Sequence, residues 1–425
     1  MRTLAPGGDA GQCQQEGSLL VGCDVGYEFH AIAILDKSGE VLEKLPKVYN
    51  HRKGFEYLLS RIKHWKNITG ARDAIFAFEP TGHYWRPLVH YVHEQGIEVR
   101  FIKTTAVKAM RELTDSTPSK NDRRDAVTLA LLLKEGRVLK GRPLEGIWRE
   151  LRDLVTYRQK LHEEHTAYLQ RLRAMIDTFF PELVTVFSKT SAVGLWKFLE
   201  QSPFPEDLID AGEVWLLNHL KKWTRKGESA ENKAKSLMES ARHSIGIPAS
   251  AGDRRHMASI LSLLEIYKKE LRQVEREMER ALMETEYGAI LLSFPGVGVV
   301  SAATFLGELG NPQDFETANQ VVSFIGIDPS EKSSGKKQSR NRISKKGRPL
   351  MRTNAYHMAL SAVLHCPELR AYYLSRKKEI ESGKLDLKPM QLLFAVAVKQ
   401  TRILFAMCRD KQVYQPNFLE LRSAA

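Results

Sequence analysis

The 425-residue sequence predicts an α/β layer domain at its N-terminus, a central helical coiled coil, and a mostly α-helical C-terminal domain. Three observations predict it. Between residues 17 and 140, short apolar runs alternate with helical patterns, as they do in layered α/β folds. Two later stretches repeat apolar residues every seven positions, as pairing helices do. The remainder opens at Phe294-Pro295-Gly296-Val297-Gly298, runs through a strongly basic loop and ends in helices over roughly 350–410.

Residues 19–23 read as a strand ending at Asp24, 31–35 as a second and 40–48 as a third. Phe55, Leu58, Leu59, Ile62 and Trp65 recur at helical spacing and predict a helix over 52–65. Residues 74–78 form a fourth strand, ending at Glu79. A helix fits 84–95, a strand 97–102, and a further helix opens near Asp122. In 147–180, Leu154, Leu161, Tyr168 and Met175 hold one heptad position, and Arg158, His165, Leu172 and Phe179 the facing one. In 257–284 the positions are Ile260, Tyr267, Val274 and Ala281, and Leu264, Leu271 and Met278. Both runs predict an antiparallel or intermolecular coiled coil, with packing inside one helical bundle as the alternative. Residues 188–250, holding Pro203, Pro205, Pro248, Trp215 and Trp223, read as a small helical insert. The expected divisions are a tail over 1–16, domains over 17–143, 144–288 and 289–412, and a tail over 413–425.

Lys plus Arg number 64 against 51 Asp plus Glu, a net charge of +13. With 43 % hydrophobic and 27 % charged residues, this is neither a fully disordered, an acidic solvating nor a fibrous chain. The excess positive charge calls for a polyanion, nucleic acid first. No run approaches the roughly 18 apolar residues of a membrane span, so no membrane partner is expected. The first 16 residues have no apolar segment of a secretory signal. Cys13, Cys23, Cys366 and Cys408 are scattered and lack zinc-ligand spacing, which favours a reduced, cytoplasmic compartment.

Four carboxylates stand where phosphate chemistry would use them. Asp24 and Glu79 follow strands, and Asp122 and Asp125 lie three apart on one helix face. Like charges brought together repel unless cations neutralise them, and carboxylate clusters suit Mg²⁺ or Mn²⁺. Two such ions can clamp the attacking and leaving oxygens of a phosphodiester. Each acid alone also fits a turn cap or a pair with Arg111, Arg123 or Arg124.

Residues 331–352 carry nine bases against Glu331, a net charge of +8 in 22 residues. Lys332, Lys336, Lys337, Arg340, Arg342, Lys345, Lys346, Arg348 and Arg352 are interleaved with Ser333, Ser334, Ser339 and Ser344. A hydroxyl among cations beside a bound metal can attack phosphate, or can simply bond phosphate or backbone oxygens. Pro295-Gly296-Val297-Gly298 is similar to the hairpin of helix-hairpin-helix modules, in which backbone N–H groups at Gly296 and Gly298 approach a phosphate. Pro-Gly also marks ordinary turns.

The ordered acids resemble the DEDD site of ribonuclease-H-like nucleases, Holliday-junction resolvases in particular. Nearly the whole chain, 19–410, resembles the DEDD transposases of bacterial insertion sequences, the group of Piv-like invertases and bridge-RNA-guided recombinases. The N-terminal resemblance rests on Gly22-Cys23-Asp24-Val25, Phe78-Glu79-Pro80-Thr81-Gly82 and Asp122-Arg123-Arg124-Asp125-Ala126. The C-terminal one rests on Pro295-Gly296-Val297-Gly298, Phe324-Ile325-Gly326-Ile327-Asp328-Pro329, Ser334-Gly335 and Arg342-Ile343-Ser344-Lys345-Lys346-Gly347. Ser333 stands where the group usually has Gln, and Asn121 where it usually has Thr.

The resemblance implies a ribonuclease-H-like N-terminal domain whose four acids hold Mg²⁺. It also implies a C-terminal transposase domain whose serine, Ser334 by alignment on Gly326 and Pro329, forms a covalent phosphoserine link to DNA. Ser333 stays open as the alternative. Implied partners are donor and target DNA, a structured noncoding RNA, and further copies of the chain, as dimers pairing into tetramers. Two other readings compete: a hydrolytic, junction-resolving nuclease using metal-activated water, and a non-catalytic nucleic-acid-binding protein whose acids are structural.

Overall fold

The computed structural model describes residues 17–80, 82–102, 104–114, 122–138, 144–187, 193–201, 204–222, 230–330, 333–334, 337–338, 342–345 and 347–416. The chain divides into two compact units, 1–144 and 145–425.

The first unit is built on five strands: β1 (Ser18–Asp24), β2 (Phe29–Leu35), β3 (Val41–Tyr49), β4 (Asp73–Phe78) and β5 (Glu98–Phe101). Their order is β3-β2-β1-β4-β5. β1–β2 and β2–β3 pair antiparallel, whereas β1–β4 and β4–β5 pair parallel. The helices are α1 (Arg52–Thr69), α2 (Trp85–Glu94), α3 (Thr104–Thr114) and α4 (Asp122–Lys134). Strand alternation sorts side chains onto two faces. Leu19, Val21 and Cys23 of β1 enter one core with Phe55, Leu58 and Ile62 of α1 and Leu88 and Val92 of α2. Leu20 enters the other with Val107 of α3 and Ala126, Leu129, Ala130 and Leu133 of α4. The sheet is thus covered on both sides, which is why its strands read as near-continuous apolar runs.

Among the described residues the second unit is mainly helical, with two short strand pairs. It comprises α5 (Gly146–Phe179), α6 (Leu183–Val186), α7 (Val193–Leu199), α8 (Pro205–Lys221), α9 (Ala230–Arg242), α10 (Ala251–Met283), α11 (Gly288–Leu292), α12 (Val299–Leu309), α13 (Ala318–Ile325), α14 (Pro349–His365), α15 (Pro367–Glu381) and α16 (Pro389–Asp410). α5 and α10 are the two heptad helices, and they pack on each other within the chain. Three contacts fix an antiparallel register: Arg280 with Glu150 at 3.6 Å, Arg158 with Glu275 at 2.7 Å, and the rings of Tyr168 and Tyr267 at 5.5 Å. The half-polar heptad position of α5 is explained by Arg158, which spans the seam to Glu275. One end of the pair joins a core with α6–α9 of the helical insert. The other end joins a larger core with α11–α16. Trp223 lies outside the described residues.

Among the described residues α16 alone has the length and apolarity to cross a membrane, and 61 % of its apolar window is buried. Val396, Leu404 and Phe405 account for that apolarity as members of the larger core.

Candidate active site

Parallel pairing of β1 and β4 puts their C-terminal ends side by side. Cys23 is in register with Phe78, so Asp24 and Glu79 leave adjacent strands at the same edge of the sheet. Both are partly exposed there. α4 brings the second pair of acids. Its backbone lies so close to β1 that a Cβ on Gly22 would stand 2.0 Å from the Ala126 carbonyl oxygen and 2.7 Å from the Ala130 nitrogen. Asp125, the residue before Ala126, is buried at 4 % exposure. The backbone of Asp122 opens α4, and its side chain lies outside the described residues.

The neighbourhood is otherwise quiet chemically. Burial, reinforced by the Asp24 charge, pushes the Cys23 thiol well up, so it stays protonated. His30 is fully buried on β2. Its pKa is pushed down, chiefly by burial, and its Nδ1 accepts the Gly26 N–H at 3.3 Å. A neutral imidazole therefore braces the turn that follows Asp24.

Among the described residues, no group of three or more His, Cys, Asp or Glu is gathered to hold a metal. Asp24, Glu79 and Asp125 thus form no closed cluster by themselves. Their carboxylate oxygens are nevertheless the donor type that Mg²⁺ and Mn²⁺ take.

The basic loop belongs to the second unit. Its two ends are clamped together. Ser344 donates its backbone N–H to the Asp328 carbonyl at 2.9 Å and its hydroxyl to Asp328 Oδ1 at 2.5 Å. Lys345 N–H donates to the Gly326 carbonyl, and the strand pair Pro329–Ser330 with Arg342–Ile343 extends the neck. Gly347 is forced by space, because a Cβ there would stand 2.2 Å from the Ile325 and Phe324 backbone. Arg352 donates to the Gly347 carbonyl at 2.6 Å. Ser344 is thereby spent on the neck. Ser333 and Ser334 form a short antiparallel pairing with Lys337–Gln338 further along the loop. The side chains of Ser333, Ser334, Lys337 and Arg342 lie outside the described residues, as do Lys332, Lys336, Ser339, Arg340 and Lys346 altogether.

Two residues expected at nucleic acid also have partners within the second unit. Arg348 pairs with the buried Glu308 at 3.1 Å. Gly296, at φ 87°, makes its close approach to α14, where Ser361 Oγ donates to its carbonyl at 2.8 Å. Gly298 has open space around it and starts α12. It borders a cavity of about 550 Å³ also lined by Arg272, Glu275, Arg276 and Glu279 of α10, two bases against two acids.

A transposase family model of the IS110 DEDD type matches residues 21–181, and another, described as a transposase of the IS116/IS110/IS902 family, matches 288–374. Together they span more than half of the chain. The protein belongs to the IS110 family of DEDD transposases. The first match covers all four acids and the second covers the basic loop. A 44.8 kDa protein of insertion element IS116 from Streptomyces clavuligerus is 24 % identical over 401 residues, covering 94 % of this chain and 96 % of its own. A 43.6 kDa protein of insertion element IS110 from Streptomyces coelicolor is 26 % identical, covering 72 % of this chain and 75 % of its own. The transposase of insertion sequence element IS1111A from Coxiella burnetii is 22 % identical, covering 93 % and 91 %. This IS110-family transposase is accordingly an enzyme whose substrate is DNA.

Proposed function

We propose that this transposase cuts and rejoins DNA through a serine nucleophile, Ser334, assisted by Asp24, Glu79, Asp122 and Asp125. The observation that carries this reading is the approach of α4 to β1 at Gly22, in a sheet whose adjacent strands end in Asp24 and Glu79. The strand order, three antiparallel strands followed by two parallel ones, supports a ribonuclease-H-like first unit.

The four acids would hold Mg²⁺, which when bound supplies positive charge to a scissile phosphate. Asp24 and Glu79 present carboxylates from a rigid sheet edge, and α4 presents the other pair. Ser334 Oγ attacks phosphorus and gives up its proton, the bond to the leaving deoxyribose oxygen breaks, that oxygen takes up a proton to become a free hydroxyl, and a phosphoserine ester results. Reversal of that step on another strand rejoins the DNA. The clamp from Asp328 to Ser344 holds both ends of the serine loop, while its bases meet phosphate oxygens. We further propose a structured noncoding RNA that guides target and donor, and a dimer that pairs into a tetramer so that one subunit's serine serves another's acids.

The test is a denaturing gel of protein, cognate DNA and Mg²⁺. A covalent protein–DNA adduct should form with the unaltered protein and vanish in Ser334→Ala, while Ser333→Ala retains it. Free 5′-phosphate ends with no adduct would instead establish hydrolysis by activated water. DNA binding supplies an independent check. With Arg348 and Arg352 engaged inside the unit, about six net charges of the loop are left for phosphates, so log K against log salt should slope by roughly −5. A slope near zero excludes the loop as the docking surface.

A further inference from the structure

Exposed aromatic rings crowd the same sheet edge as the acids. Tyr27 comes three residues after Asp24 and is 70 % exposed. Tyr84 comes five residues after Glu79 and is 36 % exposed. Their rings meet edge to face with centroids 5.2 Å apart, and His83 lies against Tyr84 at 4.1 Å. The patch continues along the edge. Asn50 donates from Nδ2 to the Tyr27 carbonyl at 3.4 Å and from its backbone to Glu28. Beside it Tyr49 packs on Phe29 and stacks flat on His51, with centroids 5.7 Å apart and planes 5° from parallel. Tyr49 is itself half exposed.

Single exposed apolar residues need no explanation, but two groups of rings on one sheet edge do. These rings cap neither core: the sheet faces are filled by α1 and α2 on one side and α3 and α4 on the other. The strand ends leave them in solvent, in two turns that also carry Asp24 and Glu79.

We propose that Tyr27 and Tyr84 form a stacking platform for an unpaired base of the DNA strand being cut. The proposal rests on the reading that the acids flank the scissile phosphate. An aromatic face stacks any base, so it can hold a strand open without reading its sequence. Lys47, whose ammonium lies 5.2 Å over Phe29, and Arg86, over Trp85, border the rings with the charge that a phosphate backbone needs. A duplex keeps its bases stacked and presents no free π-face. The platform therefore selects DNA that has been locally unwound, and it places the unstacked nucleotide one turn from the carboxylates.

The test uses the full-length protein with two probes, oligodeoxythymidylate and an abasic oligomer of equal length. Tyr27→Ala/Tyr84→Ala should bind oligodeoxythymidylate about tenfold more weakly and the abasic oligomer unchanged, because base–aromatic stacking accounts for the difference. Tyr27→Phe/Tyr84→Phe keeps the rings and should bind both as the unaltered protein does. Photo-crosslinking with 5-iododeoxyuridine in the first probe should map to Tyr27 or Tyr84. Crosslinks mapping only to the second unit, or equal loss for both probes, would overturn the platform. Asp24→Asn separates the two ideas. It should lose strand cutting yet keep the crosslinks, whereas normal cutting by Asp24→Asn would sink the role of the acids and leave the platform standing.

Discussion

Gly22→Ala should reduce DNA strand cutting by roughly a hundredfold or more, through a methyl group that touches no DNA. The added Cβ would stand 2.0 Å from the Ala126 carbonyl oxygen and 2.7 Å from the Ala130 nitrogen. Both are backbone atoms of a helix, so no rotamer change can make room. α4 must back away from β1, and Asp122 and Asp125 go with it. A misplacement of about 1 Å in a catalytic constellation costs on the order of a hundredfold. Overpacking of this kind also destabilises, by about 1–3 kcal/mol. The control is Gly194→Ala on α7, where a Cβ has no atom within 4 Å and helix propensity favours alanine. That variant should be neutral or slightly more stable. Cleavage yield and thermal unfolding of both variants check the prediction. Full cutting by Gly22→Ala would mean that α4 does not deliver its acids to the end of β1.

Much of the first unit was legible in the sequence because its strands are sandwiched. Leu19, Val21 and Cys23 face one core and Leu20 the other, so the apolar run itself marks β1. α3, by contrast, left little trace. In Thr104–Thr114 only Val107 is fully buried among the described side chains, and a stripe that narrow carries no helical period. The heptads of α5 and α10 announced helix pairing but not the partner. Their register depends on Arg158 with Glu275 and Arg280 with Glu150, contacts more than a hundred positions apart that no local pattern contains.

The candidate site divides the same way. Acids at strand ends are local signals. The engagement of Arg348 is not, because its partner Glu308 sits in Thr304-Phe305-Leu306-Gly307-Glu308 and reads as an ordinary helix residue. The aromatic edge was missed for a related reason. Tyr27 and Tyr84 are dispersed in sequence and meet only because β1 and β4 end side by side, with Tyr49 at the end of β3 on the same edge.

Glu308→Ala should destabilise the second unit by about 3 kcal/mol, read as a lower urea midpoint. Glu308 is buried, its carboxylate pairs with one guanidinium, and its charge acts on a second, that of Arg152. Arg348 is paired at 3.1 Å from its half-exposed side. Arg152 of α5 donates to the carbonyls of Gly307 and Glu308 at 2.9 and 2.7 Å. Burial, and then the Arg348 charge, push the Arg152 pKa down to about 10, while the Glu308 charge opposes them. A base with a depressed pKa is held as a cation against a cost at every pH below that value, so at neutral pH Glu308 offsets a penalty already present. Its removal leaves a partly buried cation uncompensated, the situation in which a lost partner costs several kcal/mol. Solvent at Arg348 keeps the loss near the low end of that range. Arg348→Ala should cost less, because Glu308 retains the Arg152 charge. The same substitution carries a local signature. Arg348 precedes α14 and follows the neck of the serine loop, so freeing it loosens the clamp. The amides of Ser344 and Lys345, bonded to the carbonyls of Asp328 and Gly326, should exchange with solvent faster in Glu308→Ala even under conditions where the unit stays folded. A change within about 0.5 kcal/mol, with those amides still protected, would mean that the buried carboxylate neither supports the fold nor anchors the loop that carries Ser334.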